Sequence, residues 1–98
     1  MLNSKQRAYL RGQANSIDTI LMIGKGGISD SVIVQADSAL EARELIKGKT
    51  LENAPLNSRE AADSLADKCC AEVVQVIGSK FVLYRQNKDE PIYVLPKK

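Results

Sequence analysis

Apolar positions in this chain alternate between helical spacing and short dense runs. Ser4 can cap a first helix reaching about Asn15, with Leu10, Ala14 and Ile17 on its inner side. Thr19 to Ile23 reads as a strand, apolar on both faces and so expected to be central in a sheet. Gly24-Lys25-Gly26-Gly27 interrupts it. Ser29 then caps a second helix, about Asp30 to Glu41, in which Val32, Ile33, Ala36, Ala39 and Leu40 keep the 3.6-residue period. Glu44 to Lys49 is a second strand, with Glu44 and Ile46 as outward candidates on either side of Leu45. Thr50 to Asn57, with Pro55, is a loop.

Ser58 or Asn57 caps a third helix ending near Cys70, with Ala61, Ala62, Leu65, Ala66 and Cys69 as its stripe. Two β-rich runs close the pattern, Glu72 to Ile77 and Phe81 to Gln86, joined by a tight turn at Gly78-Ser79. From Asn87 a tail begins that holds Pro91 and Pro96 and ends in Lys97-Lys98; Ile92 to Leu95 could form an edge strand or pack down. The order is αβαβαββ: a single α/β domain over residues 1–98, with its core in about 2–86 and a tail over 87–98. Crossovers make part of its four-stranded sheet parallel, the last hairpin makes part antiparallel, and the helices cover it.

Composition narrows the function. With 98 residues, 44% apolar and 27% charged, the chain has room for one core and no compositional sign of disorder. The longest apolar run, Ile20 to Ile23, is too short to span a bilayer, and no apolar segment of the secretory kind follows the N-terminal residues. Histidine is absent and the two cysteines are adjacent, Cys69 and Cys70, which removes the usual zinc sites and the commonest general base. Adjacent cysteines seldom pair with each other, so Cys69 is expected to be a reduced core residue in a cytoplasmic protein. No cofactor and no enzymatic activity are expected.

Net charge is +2. Residues 1–50 hold seven cations (Lys5, Arg7, Arg11, Lys25, Arg43, Lys47, Lys49) against five acids, and residues 51–98 hold seven of each. Arg7 and Arg11, four apart, share a helix face, and forked guanidinium donors suit phosphate. Lys47 and Lys49 alternate onto one side of their strand. The bland alternative for all of them is a solvated surface.

The glycine loop admits several readings. It follows an apolar strand and opens a helix, so its amides and the positive helix end can face an anion, and glycines let a phosphate backbone approach without a Cβ. It lacks the pattern of a nucleotide-binding P-loop. As a dinucleotide fingerprint it puts Ser29 where the last glycine belongs, although Glu41 and Glu44 lie near the distance of a ribose-binding acid. Gly24 to Gly27 also fits the G-x-x-G clamp that KH domains set on nucleic-acid backbones, and a plain turn stays open beside these. The aromatics Tyr9, Phe81, Tyr84 and Tyr93 form no stacking pair; Phe81 and Tyr84 are expected to pack, Tyr84 despite its neighbour Arg85.

A longer pattern singles out one of these. Ser4-Lys5-Gln6-Arg7 with Leu10-Arg11 and Ala14, Ile23 to Ser29, Ala39-Leu40-Glu41 with Glu44 to Lys47, Val74 to Gly78, and Val82 to Arg85 together resemble the CRM domain, named for chloroplast RNA splicing and ribosome maturation, in its stand-alone bacterial YhbY-like form. The resemblance runs from residue 2 to about 86. It implies a four-stranded mixed sheet with helices, similar to the C-terminal domain of translation initiation factor three, and RNA binding through the glycine loop and nearby basic residues. For the bacterial form it implies association with precursors of the large ribosomal subunit. The expected RNA-binding set is then Gly24, Lys25, Gly26 and Gly27, surrounded by Lys5, Arg7, Arg11, Lys47 and Lys49. Arg43 stands where many members have histidine, and Gly48, where a β-branched residue is common, is expected to weaken the strand or mark a bulge. The rival is a protein–protein module that docks on ribosomal proteins or assembly factors.

Overall fold

In a computed structural model, which describes residues 2–87, 89 and 91–96, the chain folds as α1 (Ser4–Ala14), β1 (Thr19–Ile23), α2 (Asp30–Arg43), β2 (Leu45–Thr50), α3 (Ser58–Cys69), β3 (Glu72–Ile77) and β4 (Lys80–Tyr84). The sheet order is β1-β2-β4-β3. β1 lies parallel to β2, and β4 is antiparallel to both of its neighbours. This is the αβαβαββ mixed sheet that the alternating pattern predicts.

Each helix starts where side chains satisfy its first amides. In α1 the cap is Asn3, one residue before the expected Ser4. Its Oδ1 accepts from the Gln6 amide at 2.8 Å, while Gln6 Oε1 accepts from the Asn3 amide at 3.1 Å. Asn57 and Glu60 build the same reciprocal box at α3, and Ser29 caps α2 alone. Cys70 ends α3 in the left-handed conformation.

The sheet buries both faces unequally. On one face α2 and α3 cover Leu21, Ile23, Ile46, Phe81 and Leu83 with Ala36, Leu40, Ala61, Leu65 and Cys69. On the other, α1 supplies Leu10 and Ala14 to a smaller cluster with Leu45, Val74, Val82 and Tyr84, and Tyr93 and Leu95 of the tail pack against it. The tail therefore packs down; no strand forms among its described residues, and Lys97 and Lys98 lie outside them.

Three further expectations need correction. β1 is an edge strand, and its second apolar face, Ile20 and Met22, is exposed rather than central. Neither Glu44 nor Ile46 points outward. Ile46 enters the larger core, and Glu44 is the buried C-cap of α2 at φ 66°. Its carboxylate accepts from the amides of Asn87 at 2.7 Å and Tyr93 at 3.0 Å, and its peptide oxygen from Arg85 at 2.9 Å, so it fastens the tail to the sheet. Nor does Gly48 sit in a bulge: β2 pairs with β4 in continuous register through it, and the β1–β2 irregularity falls between Thr19 and Leu21. A Cβ on Gly48 would lie 2.4 Å from Phe81 Cζ, so the glycine makes room for a core ring.

Candidate nucleic-acid interface

The glycine loop forms a tight turn at the end of β1. Gly27 donates its amide to the Gly24 carbonyl at 3.0 Å, which leaves Lys25 and Gly26 at the exposed tip. The turn rests on the segment after β2, where the Leu51 amide bonds the Ile23 carbonyl at 2.8 Å. The two outer glycines have different surroundings from Gly26. Gly27 is buried at φ +65°, and a Cβ there would meet Pro55 at 3.0 Å, so this position requires glycine for the fold itself. A Cβ on Gly24 would make ordinary contact with Leu51. At Gly26 nothing lies within 4 Å of an added Cβ and φ is not positive, so the fold does not need glycine there. What a bare backbone offers at that tip is close approach by something outside the chain. Beyond the turn, the Ser29 side chain takes the Val32 amide at 3.3 Å and Asp30 occupies the first turn of α2. That acid partly offsets the positive helix end, and the Gly27 amide is taken by the Gly24 carbonyl, so an anion at this loop would depend chiefly on Lys25 and the amides at the tip.

The remaining cations of the expected set are distributed along the opposite sheet face. The row farthest from the loop is Leu45–Tyr84–Glu72, and α1 begins beside it, with the Leu2 amide bonded to Glu72 Oε2 at 2.7 Å. Lys5 and Arg7 therefore stand at the end away from the loop. Arg11 lies in the last turn of α1, closer to the middle of the sheet. Lys47 and Lys49 do share a face, as alternation predicts, and it is the one that α1 covers only in part. Lys80, which the sequence reading passed over, pairs directly with Lys49 across the β2–β4 ladder. Its alternation with Val82 and Tyr84 was the available signal. Lys47, Lys49 and Lys80 form no ion pair among the described residues.

Other side chains are committed to structure. Arg85 bonds Asp37 Oδ1 at 2.7 Å, the Cys69 carbonyl at 2.8 Å and Glu41 Oε2 at 3.2 Å, tying the end of β4 to α2 and α3. Tyr84 is buried, as expected for a packed strand residue, and its hydroxyl meets no partner among the described residues. Burial pushes its ionisation up to about 12, with Glu44, Glu72 and Tyr9 adding to the effect. Cys69 is buried and free; burial, then Asp37, raises its thiol, so it packs as a small apolar group. Among the described residues no cluster of three or more acids, cysteines or histidines could hold a metal, and no helix is long and apolar enough to cross a membrane.

Comparison with known proteins adds to this geometry. Residues 2–85 match the model of the CRS1 / YhbY (CRM) domain. The chain is 40% identical over 96 residues to the "Probable RNA-binding protein YqeI" of Bacillus subtilis, covering 98% of this chain and 100% of that one. It is 31% identical over 97 residues to a protein of Haemophilus influenzae named "RNA-binding protein", covering 99% and 97%. The solution structure of the hypothetical protein SAV1595 from Staphylococcus aureus superimposes with a TM-score of 0.82 at 47% identity, covering 98% of this chain and 100% of that one.

Proposed function

The chain belongs to the CRS1 / YhbY (CRM) domain family, and from that premise and the form of its glycine loop we propose that it is an RNA-binding protein, without catalytic activity of its own. Lys25 and the amides around Gly26 hold backbone phosphates, and Lys47, Lys49 and Arg11 supply a positive field on the neighbouring sheet face. The observation that carries this reading is Gly26, a glycine at an exposed tip beside a lysine, where the fold itself would tolerate a side chain. A solvated turn has no use for that vacancy, whereas a phosphate backbone in contact with the peptide does. The bacterial relatives named for RNA binding support the same ligand. The resemblance to the stand-alone bacterial form favours ribosomal RNA in precursors of the large subunit, met in the cytoplasm.

The test compares wild type, Lys25→Glu and Gly26→Ala for RNA affinity at two salt concentrations, with thermal unfolding measured alongside. Both substitutions fall on exposed positions, so stability should stay within about 0.5 kcal/mol. Lys25→Glu should weaken binding to every RNA sequence alike, and Gly26→Ala should weaken it without changing charge. If both variants stay folded and bind as wild type does at low salt, the loop is not the binding site.

A further inference from the structure

The half of the sheet face that α1 leaves open has an unusual composition. One row crosses all four strands as Met22–Lys49–Lys80–Ile77, with register given by each ladder in turn. Met22 is 53% exposed and Ile77 63%, so two large apolar side chains flank a pair of lysines in solvent. The adjoining row holds Lys47 and Gln75, and the C-terminal end of α1 walls it at Asn15. Together they enclose a recess of about 160 Å³. Within the four strands the one carboxylate is Glu72, at the far row, where it holds the Leu2 amide. The row spans about 14 Å across the strands and lies about 7 Å along them from Gly24, near enough for one continuous ligand to touch both.

We propose that this face is the seat of an unpaired RNA strand, its phosphates on Lys47, Lys49 and Lys80 and its bases against Met22 and Ile77. This rests on the RNA-binding reading of the loop and narrows it to a class of RNA. Charge complementarity selects a polyanion, since three lysines stand together on the strands and none is ion-paired among the described residues. The centre of a protein–protein interface is by contrast depleted in lysine. The apolar pair selects the unpaired form. A duplex presents phosphates and ribose hydroxyls and hides the faces of its bases, so Met22 and Ile77 would gain nothing from it. Unpaired bases offer those faces, and a flexible thioether and a branched aliphatic chain can lie flat against them without the aromatic platform found in other single-strand binders.

The experiment measures binding of the full chain to a twelve-residue oligouridine and to a twelve-base-pair RNA duplex, with Met22→Thr/Ile77→Thr, Lys49→Ala/Lys80→Ala and Lys25→Glu beside wild type. Threonine keeps strand propensity while removing the apolar face, and thermal unfolding confirms each fold. The Met22/Ile77 double variant should lose about tenfold in oligouridine affinity with an unchanged salt slope and unchanged duplex binding. The lysine pair should reduce the log–log salt slope for oligouridine by about 1.4, two contacts at roughly 0.7 each. The inference is overturned if the Met22/Ile77 variant binds oligouridine as wild type does, as it would if this face were kept for a protein partner. Weakening by Lys25→Glu alone would remove the sheet face and keep the loop. Failure of wild type to bind either RNA would remove both.

Discussion

Replacing Gly48 with alanine should destabilise the protein, against the general rule that alanine is the better strand residue. Gly48 sits in the interior of β2, paired with Leu21 on one side and Phe81 on the other. Glycine in a strand costs roughly 0.5–1 kcal/mol relative to alanine, so the backbone alone favours the substitution. The ring opposes it. An added Cβ would stand 2.4 Å from Phe81 Cζ, 2.6 Å from Cε1 and 3.0 Å from Cε2, all too short for van der Waals contact. Phe81 is 1% exposed and belongs to the larger core cluster, so its ring can retreat only by displacing its neighbours there. Overpacking of this kind costs about 1–3 kcal/mol, and after the backbone gain the net loss should be about 1–2 kcal/mol. For a chain of this length that lowers the midpoint by roughly 5–15 °C. Thermal and urea unfolding of wild type, Gly48→Ala, Phe81→Leu and the double variant measure the coupling. Leucine vacates the ring's space, so the double variant should lose less than the sum of the singles. A Gly48→Ala variant as stable as wild type would refute the claim that this glycine is reserved for the ring.

Tyr84 gives a second check on the core. Its buried hydroxyl lacks a partner among the described residues, so Tyr84→Phe should be neutral or raise stability by about 1 kcal/mol in urea unfolding; a loss of more than that would reveal a hydrogen bond to the hydroxyl. The same phenol should ionise near pH 12 in the folded protein, later than an ordinary tyrosine. Because its folded value is raised, its contribution to stability is intact below about pH 10 and declines from there toward 12. Ultraviolet titration of wild type against Tyr84→Phe should therefore show one late tyrosine disappear.

The helices, strands and hairpin were legible because each is written locally. The 3.6-residue stripe of α3, the dense apolar run of β4 and the turn at Gly78-Ser79 all lie within one window of sequence. The errors arise where a partner lies far along the chain. Ile20 and Met22 look like core because exposed apolar residues on an edge strand and buried ones in a central strand have the same composition; strand order decides between them, and it depends on where the β3–β4 hairpin inserts. Glu44 looks like an outward strand residue until Asn87 and Tyr93 return to its carboxylate. The vacancy at Gly48 is filled by a ring 33 positions later. At the candidate site, the loop was legible as a motif, but its glycines are not equivalent: Gly27 serves the fold, whereas the space around Gly26 is open. Nor do the cations form a single cluster, since Lys5 and Arg7 lie at the far end of the sheet, whereas Lys80 joins Lys49 through a ladder that sequence spacing does not show.

The most direct test of the account is to follow the backbone amides by NMR while a short unpaired RNA is titrated into the labelled chain at low salt. The account predicts that the largest shifts fall on Gly24 to Gly27 and on Lys47, Lys49 and Lys80, and that the exposed face of α2 and α3 stays silent. Shifts confined to α2 and α3, or an unperturbed glycine loop at saturating RNA, would contradict it.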